Sequence, residues 1–254
     1  MSLETIRNFL KDNPLVVFTA DQDWAPEWAC EVFLSEIKAN EVPVHVFRTN
    51  MSPTLDGAVN DGHITHGWHP NFKANSTHGS SISEVISTMQ AINPNSRTVR
   101  AHSYFESSET WDSLYAAGQI VESHGVTIFE EKLQPIRMAS KLIRVPVFFE
   151  DDVLMRDSPD ELDCALLFKR LLSPGLKVLD FHPIHIGLNS KSLIHYEQSR
   201  EILNNEESFL ESMNHRGIRT VMNDLVKYIK LHKVQIICFE KLVDQLVVDH
   251  ESEK

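Results

Sequence analysis

Leu15-Val-Val-Phe-Thr-Ala20 is a short, continuous apolar run, and it passes directly into Asp21-Gln-Asp23. An uninterrupted run of this length predicts a strand buried on both faces, the state of a parallel strand covered by helices. Pro26 then suits the first turn of a helix whose apolar positions Ala29, Val32, Phe33 and Ile37 follow the 3.6-residue period. Outward from this unit the alternation continues. Strands are expected at Val42–Phe47, His63–Trp68, Thr98–His102, Gln119–Val121, Gly125–Phe129, Leu142–Phe149, Leu176–Phe181 and Val234–Phe239. Between them lie a helix capped by Ser81 or Ser83, one opened by Ser108 and closed by Gly118, and one started by the capping box Ser158-Pro-Asp-Glu161. The polar stretch Asn189–Asn214 reads as helix and loop, and an amphipathic helix carries Val221, Met222, Leu225, Val226 and Ile229.

Strand–helix alternation of this kind implies an α/β protein with a parallel sheet, either closed as a barrel or open and doubly wound. No Gly/Ser linker or repeat interrupts it, so residues 1–254 are read as a single domain. A hydrophobic content of 42% supports a sizeable core and excludes global disorder. The formal net charge of −12 argues against nucleic-acid binding and against attraction to an anionic membrane. Cys30, Cys164 and Cys238 have no metal-ligand spacing and read as reduced core thiols. The charged, amphipathic N-terminal stretch lacks an apolar run of signal-peptide length, and no later segment is long enough to span a bilayer. A cytoplasmic location is the expectation.

Chemistry collects just after the apolar runs. Asp21 and Asp23 follow the first, His66 and His69 the third, Arg100 and His102 the next. Glu150, Asp151 and Asp152 follow a later one, and His182 and His185 the penultimate. In parallel barrels and open α/β sheets the carboxyl ends of the strands share one face, where active sites lie. Taken singly, each group has a plain structural reading. Asp21 or Asp23 could cap a helix, His66-x-x-His69 could be an exposed turn, and Arg100 could form an ordinary ion pair. Their common position at strand ends is the argument. His45 reads as a core residue, while His124, His195, His215, His232 and His250 fit surface or capping roles, and His78 stays open.

Phe18-Thr-Ala-Asp-Gln-Asp-Trp24, His69-Pro-Asn-Phe72, Arg100-Ala-His-Ser103, Phe149-Glu-Asp-Asp152 and Phe181-His-Pro-Ile-His-Ile-Gly-Leu-Asn189 stand in the order of the motifs of a known family. From Leu15 to Asn189 the chain resembles the polysaccharide deacetylase (carbohydrate esterase) superfamily. The similarity is greatest to its divergent branch found in bacterial surface-sugar gene clusters. The resemblance implies a distorted (β/α)7-like barrel, parallel strands with outer helices, holding a divalent metal ion (Zn, Ni, Co, Mn or Fe). It implies hydrolysis that removes acetyl groups from an N-acetylated sugar or cleaves a related C–N bond. Asp21 would be the general base, Arg100 would orient it, and His182 or His185 would be the general acid. Asp23 and His69 would be metal ligands. The third ligand lies among His102, His66 and His78, with His102 preferred because it emerges from a strand end. The chain departs from the family pattern where Gln22 splits the usual adjacent aspartates, where the His-Ser/Thr-x-x-His motif is missing, and where Ala101-His102 replaces a frequent proline. The expected partner is a small carbohydrate or nucleotide-sugar-like substrate, with a homo-oligomer left open. The competing reading is a non-catalytic barrel that binds carbohydrate or serves in assembly; a phosphoesterase barrel is a third.

Overall fold

Along β1 (Pro14–Asp21) every residue after Pro14 is buried, as a strand enclosed on both faces requires. Its two faces differ. Val16, Phe18 and Ala20 pack outward with Ala29, Cys30 and Phe33 of α2 (Glu27–Ala39). Leu15 and Val17 point the other way, into a second apolar cluster, and Thr19 and Asp21 continue that inner face as polar groups. The sign change from apolar to polar along one face of one strand places the site.

The structure is a computed structural model that describes residues 3–157, 162–200 and 215–252. After α1 (Leu3–Asp12), β1 and α2 come β2 (Val44–Arg48), α3 (Pro53–Asn60), β3 (Ile64–Trp68), α4 (Ile82–Ile92) and β4 (Thr98–Val99). A 3-10 turn at His102–Tyr104 leads to α5 (Ser108–Ala116), β5 (Val121–Glu122), β6 (Ile136–Arg137), β7 (Ile143–Arg144) and β8 (Val147–Glu150). Then follow α6 (Asp151–Asp157), α7 (Ala165–Leu171), β9 (Gly175–Phe181), α8 (Pro183–Leu188) and α9 (Leu193–Arg200). The C-terminal part holds α10 (Ile218–Leu231), β10 (Gln235–Ile236) and α11 (Phe239–Ser252).

The strands form one sheet in the order β6-β7-β5-β4-β3-β2-β1-β9-β8, with β10 also paired to β1. Every pairing is parallel except β6 with β7. The run Ile143–Glu150 meets both sides of this order, since β7 pairs with β5 while β8 pairs with β9. The sheet is therefore curled on itself with helices outside, the distorted (β/α)7-like barrel that the sequence resemblance implied. Beneath the polar end, the interior is filled by Val17, Phe47, Val145, Leu176 and Val178 and plugged by Leu3, Ile6 and Leu10 of α1 with Leu242, Val243 and Leu246 of α11.

Several expected strands are shorter than their apolar runs. Leu142–Phe149 breaks into β7 and β8 at Pro146, which has no N–H for a ladder. Thr98–His102 pairs only over Thr98–Val99, and Gly125–Phe129 contributes a single bridge, Val126 to Val147. Val234–Phe239 pairs over Gln235–Ile236 before α11 begins. α5 opens at Ser108 as expected and is capped by Ser107, whose hydroxyl accepts from the Thr110 N–H. The capping box Ser158–Glu161 lies outside the described residues, as does the stretch 201–214. His45 is the core residue expected, bonded to Thr65 Oγ1 at 2.8 Å and Thr98 Oγ1 at 3.0 Å.

Gly67, on the inner face of β3, shows how tightly that interior is packed. A Cβ there would lie 2.3 Å from Thr98 Oγ1, 2.8 Å from His45 Nε2 and 2.8 Å from the Thr98 carbonyl oxygen. Gly67→Ala is expected to destabilise the fold by roughly 1–3 kcal/mol through overpacking. Urea unfolding monitored by circular dichroism checks this, and an unchanged midpoint would refute the packing argument.

Candidate active site

At the carboxyl end of the barrel the inner face carries a buried charge cluster. Arg100 follows β4, is fully buried, and has its guanidinium carbon 4.4 Å above the Phe47 ring. Its Nη1 donates to Asp21 Oδ1 at 2.8 Å and to Asp180 Oδ1 of β9. Nη2 donates to Thr19 Oγ1 at 3.1 Å and Ser123 Oγ at 2.8 Å, and Nε to the Ser123 carbonyl at 2.9 Å. Every N–H of the fork is used, which a lysine with three donors could not reproduce. Burial pushes the Asp21 carboxyl well above the usual carboxylate range. Arg100 opposes that shift and Asp180 adds to it.

Beyond Asp21 the chain leaves the strand through two left-handed residues, Asp23 (φ 44°) and Trp24 (φ 54°). Non-glycine residues adopt this region at a cost of order 1–3 kcal/mol each. Here the Trp24 N–H donates to Thr49 Oγ1 at 3.0 Å, and Gln22 Oε1 accepts from the N–H groups of Thr49 and Asn50. The turn brings Asp23 back over the barrel mouth. Asp23 Oδ1 lies 2.9 Å from His69 Nε2 and 2.8 Å from His102 Nδ1. Burial alone raises the Asp23 pKa; contact with His102 and His69 more than reverses this, holding the carboxyl well below its ordinary range.

His69 follows β3 directly and is buried, yet neither of its ring nitrogens makes an aligned hydrogen bond among the described residues. A buried imidazole in that state is costly unless something else uses its lone pair. Asp23, His69 and His102 each bring one donor atom within 4.8 Å of the others. Two imidazoles and a carboxylate are a donor set suited to Zn and neighbouring divalent metals, so these residues fit such an ion. The remaining ligand candidates, His66 and His78, are outside this group, although His78 lies near it and its buried Nε2 makes no hydrogen bond among the described residues. His66 Nδ1 is 3.5 Å from Arg48 Nη1, and His78 Nδ1 accepts from the Asn71 N–H at 2.9 Å.

On the opposite wall, Asp151 opens α6 and its carboxylate clamps His182 twice. Asp151 Oδ2 accepts from the His182 N–H at 2.8 Å, and Oδ1 pairs with His182 Nδ1 at 2.7 Å. The carboxylate can only accept, so Nδ1 carries a proton and Nε2 points away from Asp151, 3.6 Å from Asp23 Oδ2. Burial disfavours the imidazolium, but Asp151 and Asp152 outweigh it and hold the His182 pKa well above its usual value. The structure separates the two histidines that the sequence left together. His182 lines the cavity. His185 sits behind it, bonded to Asp152 Oδ1 at 2.8 Å and Ser190 Oγ at 3.0 Å.

These groups line a cavity of about 290 Å³ together with Ser103, Tyr104, Glu150 and Arg156. Burial raises the Glu150 pKa to about 8. Three contributors escaped the sequence reading: Asp180, Asp151 as the partner of His182, and His124. His124 is not a surface residue. It is buried, its Nδ1–H donates to Glu122 Oε2 at 2.5 Å, and its Nε2 accepts the Ala101 N–H at 3.0 Å. The signal for Asp151 and Asp180 was their place at strand ends; for His124 the neighbouring Glu122 gave only a local pair, and its bond to the Ala101 N–H, 23 residues away, is tertiary.

Residues 18–200 match the family model described as WbmS-like polysaccharide deacetylase. A search of curated proteins gives no match. Among solved structures, the chain is similar to a candidate polysaccharide deacetylase involved in O-antigen biosynthesis (WbmS) from Bordetella bronchiseptica. That likeness has 27% identity and a TM-score of 0.75 and covers 84% of this chain and 89% of the other. It is also similar in fold to a 4-alpha-glucanotransferase from Thermococcus litoralis, at 10% identity and a TM-score of 0.53, covering 92% of this chain and 38% of that one. Among the described residues no helix is long and apolar enough to cross a membrane. A family match over most of the sequence shows that the chain belongs to the WbmS-like polysaccharide deacetylase family.

Proposed function

We propose that this chain is a metal-dependent deacetylase that hydrolyses the N-acetyl group of a sugar destined for a surface polysaccharide. The observation that carries the reading is the meeting of His69 Nε2 and His102 Nδ1 on one Asp23 oxygen, with the buried Asp21 held beside them by Arg100. Asp23, His69 and His102 would hold the ion. When bound, it supplies Lewis-acid polarisation of an acyl carbonyl and acidification of water.

The remaining roles belong to the side chains. Asp21 Oδ2 faces His69 Nε2 at 3.7 Å while Oδ1 is fixed by Arg100, so one oxygen is left to take a proton from the attacking water. Its upward-shifted pKa makes it a stronger base than an exposed aspartate. His182 Nε2 opens on the cavity across from Asp21, and Asp151 favours its protonated form. It is the group placed to protonate the leaving amine, which makes His182 the acid and leaves His185 to support it from behind. The substrate is a carbohydrate; the surface-polysaccharide setting is carried over from the Bordetella relative.

Two experiments test this reading. Calorimetric titration of the EDTA-treated protein with Zn, Co or Ni should show one tight site. His69→Ala or His102→Ala should weaken it about 100-fold, and Asp21→Asn should retain the metal but lose acetate release by roughly 100-fold or more. A protein that binds none of these ions sinks the proposal. One that binds metal and sugar but releases no acetate from N-acetylated oligosaccharides is the non-catalytic barrel. The second experiment concerns pH. Asp151 raises the His182 pKa by favouring the charged ring, so Asp151→Asn lowers it, and the alkaline limb of kcat should move to lower pH. An alkaline limb that stays put removes His182 from the role of acid.

A further inference from the structure

Trp24 and Phe105 are 38% and 39% exposed, and they are the only aromatic side chains among the described residues that face solvent to this degree. Both flank His102. The Trp24 ring lies edge-on to the His102 ring at 5.2 Å, and the Phe105 N–H donates to the His102 carbonyl at 3.3 Å. Neither is exposed by laxity. Trp24 is presented by the left-handed turn described above and its ring also rests on His78 at 5.4 Å. Phe105 follows another left-handed pair, Ser103 (φ 56°) and Tyr104 (φ 52°), and is backed by Phe72 at 6.1 Å. Large, partly exposed aromatics held next to Asp23, His102, Ser103 and Tyr104, which line the polar cavity, mark a surface suited to meet a ligand.

The cavity itself decides what kind of ligand. At about 290 Å³ it is at the lower limit of small-molecule sites, roughly 300–1,000 Å³. It has room for an acyl group and part of a ring, and the rest of a longer substrate must lie over the rim. A pyranose has an apolar C–H face that covers an aromatic ring and hydroxyl edges that seek polar partners. Lys73 Nζ, bonded at 2.6 Å to Ser103 Oγ, a residue that lines the cavity, supplies such a partner.

We propose that Trp24 and Phe105 form an aromatic platform that binds a pyranose ring of an acetylated glycan, seating its acyl group over Asp23, His69 and His102. This deepens the deacetylase reading and rests on it. The net charge of −12 disfavours the other user of such a rim, an anionic lipid surface.

The test is binding without turnover. The full-length, EDTA-treated protein is titrated calorimetrically with tetra-N-acetylchitotetraose, with an N-acetylgalactosamine tetrasaccharide and with maltotetraose, and is co-sedimented with phosphatidylcholine/phosphatidylserine vesicles. An acetylated probe should bind the wild type. Trp24→Ala should weaken it roughly tenfold, the effect of one lost stacking contact, while Trp24→Phe keeps most of the affinity. Phe105→Ala should weaken it in the same direction. Thermal melts confirm that the variants fold. Failure of every glycan to bind, equal affinity for wild type and Trp24→Ala, or a Trp24-dependent affinity for vesicles instead of glycans would overturn the platform. Acetate release measured on the same probes keeps the two readings apart. Release with an unchanged KM in Trp24→Ala refutes the platform alone, and Trp24-dependent binding with no release by the metal-loaded wild type refutes the hydrolase alone.

Discussion

Arg100 is the group on which the barrel mouth depends. Arg100, Asp21 and Asp180 are taken out of water at one level of the interior, and the single guanidinium bonds both carboxylates. Breaking such a buried set typically costs about 3–5 kcal/mol, since a charge is then left unpaired. The guanidinium reaches β1, β9 and the residue after β5 at once, so it fixes four chain segments relative to one another. It also draws a boundary. Below it Phe47 and the valines close the core, and above it the cavity is lined mainly by polar side chains.

With that level fixed, the site is made by how the chain leaves it. Asp21 belongs to the strand, but Asp23 reaches the mouth only because Asp23 and Trp24 turn left-handed; Ser103 and Tyr104 do the same after β4, beside His102. The strain lies at the site and at its rim, on both sides of the same pair of candidate ligands. Gln22 makes the first turn possible. It separates the two aspartates in sequence, and its amide oxygen anchors the neighbouring loop through Thr49 and Asn50. The split aspartate pair is thus accommodated by geometry, with Asp21 turned to Arg100 and Asp23 to the histidines.

Much of this was legible in the sequence because strand ends of a parallel barrel share a face. Continuous apolar runs located β1, β2, β3 and β9, and the polar residues after them located Asp21, Asp23, His69, Arg100, His102 and His182. The shorter pairings were not legible. β4, β5 and β7 each pair over two residues, and what holds their flanks is side-chain and loop hydrogen bonding rather than ladder. His182 and His185 could not be separated either. They are three residues apart across Pro183, and the choice between them depends on which faces the cavity once α8 has packed against α2 and α10. Asp151, 31 residues earlier in the chain, fixes that choice by taking both the His182 N–H and Nδ1.

The short β4 also explains the residue furthest from the sequence reading. Past Val99 the chain no longer pairs with β5, so the Ala101 N–H loses the carbonyl that a longer strand would have offered it. His124 Nε2 stands in for that carbonyl, and Glu122 fixes its tautomer by accepting from Nδ1–H. Arg144 in turn holds Glu122. The peptide held in this way joins Arg100 to His102. A buried acid–imidazole pair one layer removed from the cavity therefore sets the backbone that carries the charge anchor on one side and a candidate metal ligand on the other.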